Sequence, residues 1–207
     1  MKKDNKFFIY ISFFLSCFAC TNPFATRDAE APEVQDRLTI PTRPLAYADV
    51  IPFFEKAISE KNIANYMNCF IDDSFPIQSA EYTFSYDKRI AQDSFTGWSL
   101  QDEQNYFNNI VNDSENGSPE LQLKFLEDQF TYIPLANSLN DSVQVMPFSY
   151  ELSIIYRDSI AVYQGIGSMK LIANSNSQWA IYYWEDRQND DGSAPSWSFL
   201  KAERRNR

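Results

Sequence analysis

Histidine occurs nowhere in this chain. Its absence removes the commonest general base and the commonest metal ligand together. Glycine is almost as scarce, with five in 207 residues. No GxGxxG or Walker-type run occurs, which argues against a phosphate-cradling loop. Positive charge is also short: 18 Lys and Arg stand against 28 Asp and Glu, a net charge of −10. That is the wrong sign for a phosphate backbone, so nucleic acid is set aside as a partner. The acidity reads first as solubility. No apolar run is long enough to span a bilayer. The longest, Phe7 to Phe18, is interrupted only by Ser12 and Ser16. As a helix it would reach about 18 Å against a hydrocarbon core of ~30 Å.

That run carries the chain's most informative signal. Lys2, Lys3 and Lys6 precede it, and Ala19 and Cys20 close it before a polar, proline-containing stretch. A basic start, a short apolar stretch and a small residue before the cut make a secretory signal peptide over residues 1–19. A cysteine at the cut points to a bacterial lipoprotein, with Cys20 acylated and first in the mature chain. Cys17, after Phe14-Leu15-Ser16, is the competing acylation site, and a signal peptide without lipid is the rival reading. Lipid chains at ~0.8 kcal/mol per buried methylene would hold the protein at a membrane that its charge would not. Cys69 is then the mature chain's lone cysteine, which excludes an internal disulfide. Its apolar neighbours suggest a buried structural thiol.

Residues 20–44 read as a lipidated cysteine and tether. Pro23, Pro32, Pro41 and Pro44 break them up, charge is scattered and apolar periodicity is missing. Residues 45–202 read as one domain, and 203–207 as a basic tail. A first helix is expected over Asp49–Lys61, with Asp49 as N-cap and Val50, Phe53, Phe54, Ala57 and Ile58 on its buried face. A second runs over Asn62–Phe70 and a third over Leu100–Val111, opened by Ser99, with Asp102 and Glu103 complementing its dipole. Phe75–Tyr86 looks extended. Strands follow over Glu120–Pro134, Phe148–Tyr156, Ile160–Ala173 and Gln178–Arg187, and Ser196–Leu200 adds a short edge piece. On the last long strand, alternation puts Tyr182 with Trp184, and Trp179 and Ile181 with Tyr183. Helices followed by hairpin-linked strands define an α+β domain on an antiparallel sheet.

Several segments carry a resemblance. They are Phe53-Phe54-Glu55-Lys56-Ala57-Ile58, Tyr66-Met67-Asn68-Cys69-Phe70 and Trp98-Ser99-Leu100-Gln101-Asp102-Glu103 with Phe107. Gly165-Ile166-Gly167, the strand Trp179 to Asp186, and Ser196-Trp197 complete the set. Together they resemble the cone-shaped fold of nuclear transport factor 2 and ketosteroid isomerase, also described as cystatin-like. More narrowly, they are similar to a family of uncharacterised bacterial lipoproteins with that fold. The resemblance implies three N-terminal helices packed on a strongly curved antiparallel sheet around a conical interior. Enzymes on this fold keep carboxylates, Tyr or His deep in the cone.

Asp186, following Trp184 on an apolar strand, is the candidate acid or base, with Tyr86 and Trp98 as companions. These four residues are the expected pocket. The plainer reading has Asp186 ending its strand and bonding the following loop near Trp197. Asp72-Asp73 and Asp190-Asp191-Gly192 lack the ligand spacing of a calcium loop and read as turns, so no metal and no cofactor are assigned. The expected function is a non-catalytic, membrane-anchored module of the bacterial cell envelope, facing the periplasm. It would bind a small apolar ligand in the cone or an envelope protein on its surface. The alternatives are a small isomerase- or hydratase-type enzyme and a structural protein with a filled cone. A homodimer through the outer face of the sheet is suggested by analogy alone.

Overall fold

The computed structural model describes residues 43–73, 75, 82–113, 117–136 and 141–205. The signal peptide, Cys17, Cys20 and the tether up to residue 42 lie outside the described residues. The chain enters through a 3-10 turn, Tyr47–Asp49, and passes directly into α1, Val50–Ser59. Asp49 is therefore already in the helical region of backbone space, and its side chain caps nothing. Ile51, rather than Phe53, completes the buried stripe with Val50, Phe54, Ala57 and Ile58. The second helix, α2, is a single turn and a half, Ile63–Met67, capped by Asn62 accepting from the Asn65 N–H. β1, Thr83–Ser85, is followed by a 3-10 turn over Gln92–Phe95. α3, Leu100–Val111, opens on a reciprocal capping box between Ser99 and Asp102.

The strands are β2 (Glu120–Phe125), β3 (Tyr132–Pro134), β4 (Ser142–Ile155), β5 (Ile160–Ala173) and β6 (Trp179–Arg187). The expected Glu120–Pro134 strand is thus two pieces, both paired with β4. Sheet order is β1-β6-β5-β4-β2. All pairings are antiparallel except β1 on β6, which is parallel. The expected α+β architecture holds, with one parallel edge strand added. Two bulges bend the long strands. One lies between Val145 and Phe148, where Pro147 has no N–H to give the ladder. At the other, Lys170 pairs with Tyr183 and Leu171 with Ile181, so Tyr182 is the extra residue. This bulge overturns the expected alternation: Trp179, Ile181, Trp184 and Asp186 are buried, while Tyr182 and Tyr183 are half-buried. Simple period-2 counting fails wherever one residue is inserted in the ladder.

The segment expected as an edge strand at Ser196–Leu200 is instead the start of a helix, α4, Trp197–Arg204. Trp197, Leu200, Lys201 and Arg204 recur at helical spacing and are all buried. The expected basic tail begins inside this helix and is not all loose charge. Arg204 Nη1 pairs with Asp113 at 2.7 Å, and Arg205 Nε reaches Asp102 at 3.1 Å. Asn109 Nδ2 also donates to the Arg204 carbonyl, tying α3 to α4.

Candidate functional site

The interior between helices and sheet is built from aromatics. Trp184 lies edge-on to Phe54, Phe84 and Trp197, at 5.5, 5.4 and 4.8 Å between ring centres. Tyr66 stacks on Phe107 at 4.0 Å and packs against Phe70 at 5.2 Å. Such edge and offset contacts add to the burial of large apolar surfaces. The Trp184 indole Nε1 has no acceptor among the described residues.

Two charged side chains sit inside this shell, and both are fully buried: Glu103 from α3 and Lys201 from α4. Lys201 Nζ lies 2.7 Å from Glu103 Oε1 and 2.8 Å from Oε2. Tyr66 Oη donates to Oε1 at 2.6 Å. Tyr82 Oη and Trp98 Nε1 each donate to Oε2 at 2.9 Å. A carboxylate offers about four acceptor positions, so Glu103 is saturated. The ammonium also lies 3.7 Å from the ring centres of Phe84 and Trp184, where the π-faces complement its charge. Burial lowers the Lys201 pKa to about 8, against the opposing pull of Glu103. Burial first, then the adjacent carboxylate, holds the Tyr66 and Tyr82 phenols well above their usual range, so both keep the proton they donate.

A second network lies one turn of α4 away. Asp186, also buried, accepts from Tyr150 Oη at 2.5 Å on one oxygen. Its other oxygen accepts from the Ser198 N–H at 2.6 Å and the Ser198 hydroxyl at 2.5 Å. Burial raises the Asp186 pKa, although the hydrogen bonds from Ser198 and Tyr150 and the charge of Lys201 oppose it. Tyr150 Oη in turn accepts from the Trp197 N–H at 2.7 Å. Gly165 makes this reach possible: a Cβ there would meet Tyr150 Oη and the Arg187 carbonyl, each at 2.5 Å. Ser198 Oγ accepts from the Asp87 N–H at 3.0 Å, and Asp87 Oδ2 accepts from the Gln188 N–H at 2.6 Å. The loop after β6 and the loop after β1 are thereby fastened to α4.

Of the four expected pocket residues, Trp184 and Asp186 are buried on β6, and Trp98 joins the interior through its bond to Glu103. Tyr86 packs at the margin of the core, stacked at 4.5 Å on Phe95, which itself lies 5.1 Å from Trp98. Glu103 and Lys201 were missed as interior residues, yet their spacing marks them. Glu103 lies three, four and seven residues before Tyr106, Phe107 and Ile110, and Lys201 four after Trp197. A charge on the apolar stripe of a helix signals a buried partner. Cys69 is buried, its thiol bonded to the Asn65 carbonyl at 3.3 Å and pushed up in pKa by burial, with Arg43 opposing. Among the described residues no three His, Cys, Asp or Glu side chains converge as metal ligands would.

No family model and no curated protein sequence matches the chain. The narrower likeness to a lipoprotein family therefore finds no support in these comparisons. Solved structures do match. A naphthalene 1,2-dioxygenase with indole bound in its active site aligns over 68% of this chain and 76% of its own, at 6% identity and a TM-score of 0.52. A nuclear transport factor 2-like superfamily protein from Salmonella enterica serovar Typhimurium covers 72% of this chain and 88% of its own, at 14% identity and TM-score 0.46. A putative dehydratase of the same fold family from Streptomyces avermitilis covers 68% and 92%, at 8% identity and TM-score 0.48. At such identities the likeness is one of fold alone. The chain is an α+β protein of nuclear transport factor 2-like fold, with helices on a mixed, mostly antiparallel six-stranded sheet.

Proposed function

We propose that the protein is a non-catalytic interaction module of the bacterial cell envelope, held at a membrane by lipid on Cys20. Its cone is filled by its own side chains, and it works through its surface. The observation that carries this reading is the Glu103–Lys201 pair. It occupies the depth of the cone with no exposed surface, and the donors around it consume every acceptor position. A general base must come within hydrogen-bond reach of a substrate proton. Glu103 and Asp186 instead face only protein donors. Support for the anchor is the sequence of residues 1–20.

The test is native mass spectrometry of the full-length protein extracted from bacterial membranes. An acylated N-terminal Cys20 peptide and a folded mass free of any small molecule are expected. A stoichiometric apolar compound released on denaturation would overturn the filled cone, and an unprocessed Met1 would overturn the anchor. The enzyme alternative draws on the perturbed Lys201 beside a carboxylate and two phenols, a grouping common to active sites. Its distinguishing result is a small molecule that binds within the cone and is lost in Glu103→Gln.

A further inference from the structure

Among the described residues the sheet ends at β2: it pairs with β4 on one side, and no described strand lies on the other. The ladder phase follows from the Leu126 N–H donating to the Ser149 carbonyl. Leu126 shares its phase with Glu120, Gln122 and Lys124, whose backbone groups therefore turn toward β4. The N–H and C=O groups of Leu121, Leu123 and Phe125 turn to the free edge. A groove of about 500 Å³ runs along it, walled across by Pro52, Glu55, Lys56 and Ser59 of α1. Unpaired strand edges are templates for another strand, and soluble proteins usually guard them.

The side chains of this edge are self-complementary. Leu121 and Leu123 are buried, while Glu120, Gln122 and Lys124 are exposed on the opposite face. From these positions the geometry points to a second copy of this chain, added antiparallel to β2 about a two-fold axis through Gln122. Leu121 of each copy then lies opposite Leu123 of the other, and both carry the outward backbone groups, giving four main-chain hydrogen bonds. Glu120 lies opposite Lys124 of the second copy, twice by symmetry. These are non-hydrogen-bonded positions, where Cα atoms are about 4.5 Å apart and side chains approach closest. A lone lysine on an edge would repel its own image, but here each Lys124 meets a carboxylate. Glu120, which accepts from Gln122 Nε2 at 2.8 Å in the single chain, exchanges that partner for the ammonium. Among the described residues, the other end of the sheet is the three-residue β1. This surface differs from the outer sheet face suggested by analogy, and the inference stands or falls independently of the filled cone.

Sedimentation of the full-length chain in non-ionic detergent tests the pairing. A dimer is expected at about 100 µM. Lys124→Glu and Glu120→Lys should each sediment as monomers with at least tenfold weaker association. The double reversal, E120K with K124E, should restore the dimer. Mixing the two single variants should give a heterodimer. Each position is exposed, so circular dichroism should match the parent and exclude misfolding. In membranes, Gln122→Cys should cross-link with its counterpart under mild oxidation, beyond any band from the parent chain, since the axis brings these Cα atoms within disulfide range. A parent chain that stays monomeric, or a dimer indifferent to the single reversals, would overturn the edge pairing.

Discussion

Two carboxylates sit behind this fold's stability in opposite ways. Glu103 shares a dry interior with Lys201, and the pair compensates rather than adds: removing one partner strands a buried charge. Lys201→Met should therefore cost ~3–5 kcal/mol of unfolding free energy. Adding Glu103→Gln should recover part of that loss, which a double-mutant cycle from urea titrations would register. Strictly additive losses would show that the two groups do not interact. Asp87 titrates where its partners can be read directly. Burial alone would raise its pKa, but the Arg89 side chain and the Gln188 and Arg89 N–H groups outweigh that and hold it at about 2. A carboxylate depressed in the folded state contributes stability above its unfolded pKa, near 3.8, and loses it as pH falls toward 2. Asp87→Asn should be destabilised at pH 7 by on the order of 1–2 kcal/mol, with the gap closing between pH 4 and 2. A gap that persists unchanged at pH 2 would assign the effect to packing instead. Asp186 was visible in the sequence as an acid on an apolar strand. Glu103 is locally legible only as a dipole partner, because a first-turn acid has that explanation already; its buried role shows only on the stripe it shares with Tyr106, Phe107 and Ile110.

At the level of elements, α4 is the clasp. Its Trp197 and Ser198 bond to β4 and β6, Lys201 to α3, and Arg204 to Asp113, just past the end of α3. The sequence hid this helix because Ser-Trp-Ser-Phe-Leu alternates as a strand would. Its helical stripe emerges only when counted through Lys201 and Arg204, charged residues that a search for apolar periodicity skips. The Tyr182 bulge was hidden for a related reason: one inserted residue leaves no compositional mark. By contrast, α3 and the hairpin of β4 and β5 were legible, since capping residues and clean alternation specify them locally. The close approach of β4 to β5 at Gly165 makes a further prediction. Gly165→Ala should cost ~1–3 kcal/mol by overpacking against Tyr150. Tyr150→Phe in the same chain should not return it, because the ring Cζ would still stand 2.9 Å away and Asp186 and the Trp197 N–H would lose their buried partner. Thermal melts of the three variants would check this. An alanine at 165 that leaves the melt unchanged would mean that β5 moves aside freely.

At the scale of the whole molecule, the described residues between helices and sheet form one continuous core. Helices and bent sheet enclose aromatics and a neutralised ion pair, and the proposed function assigns contact with other molecules to the outer surfaces and the β2 edge. Sealing has a direct reporter in the indole N–H groups, which number four in the chain. Trp184 and Trp197 are almost entirely buried in the cone. In the full-length protein labelled with 15N-tryptophan, hydrogen exchange of these two indoles should proceed only through global unfolding, at the free energy given by urea titration. Exchange of Trp184 and Trp197 within minutes under native conditions, far ahead of global unfolding, would contradict a sealed interior and reopen the cone as a binding site.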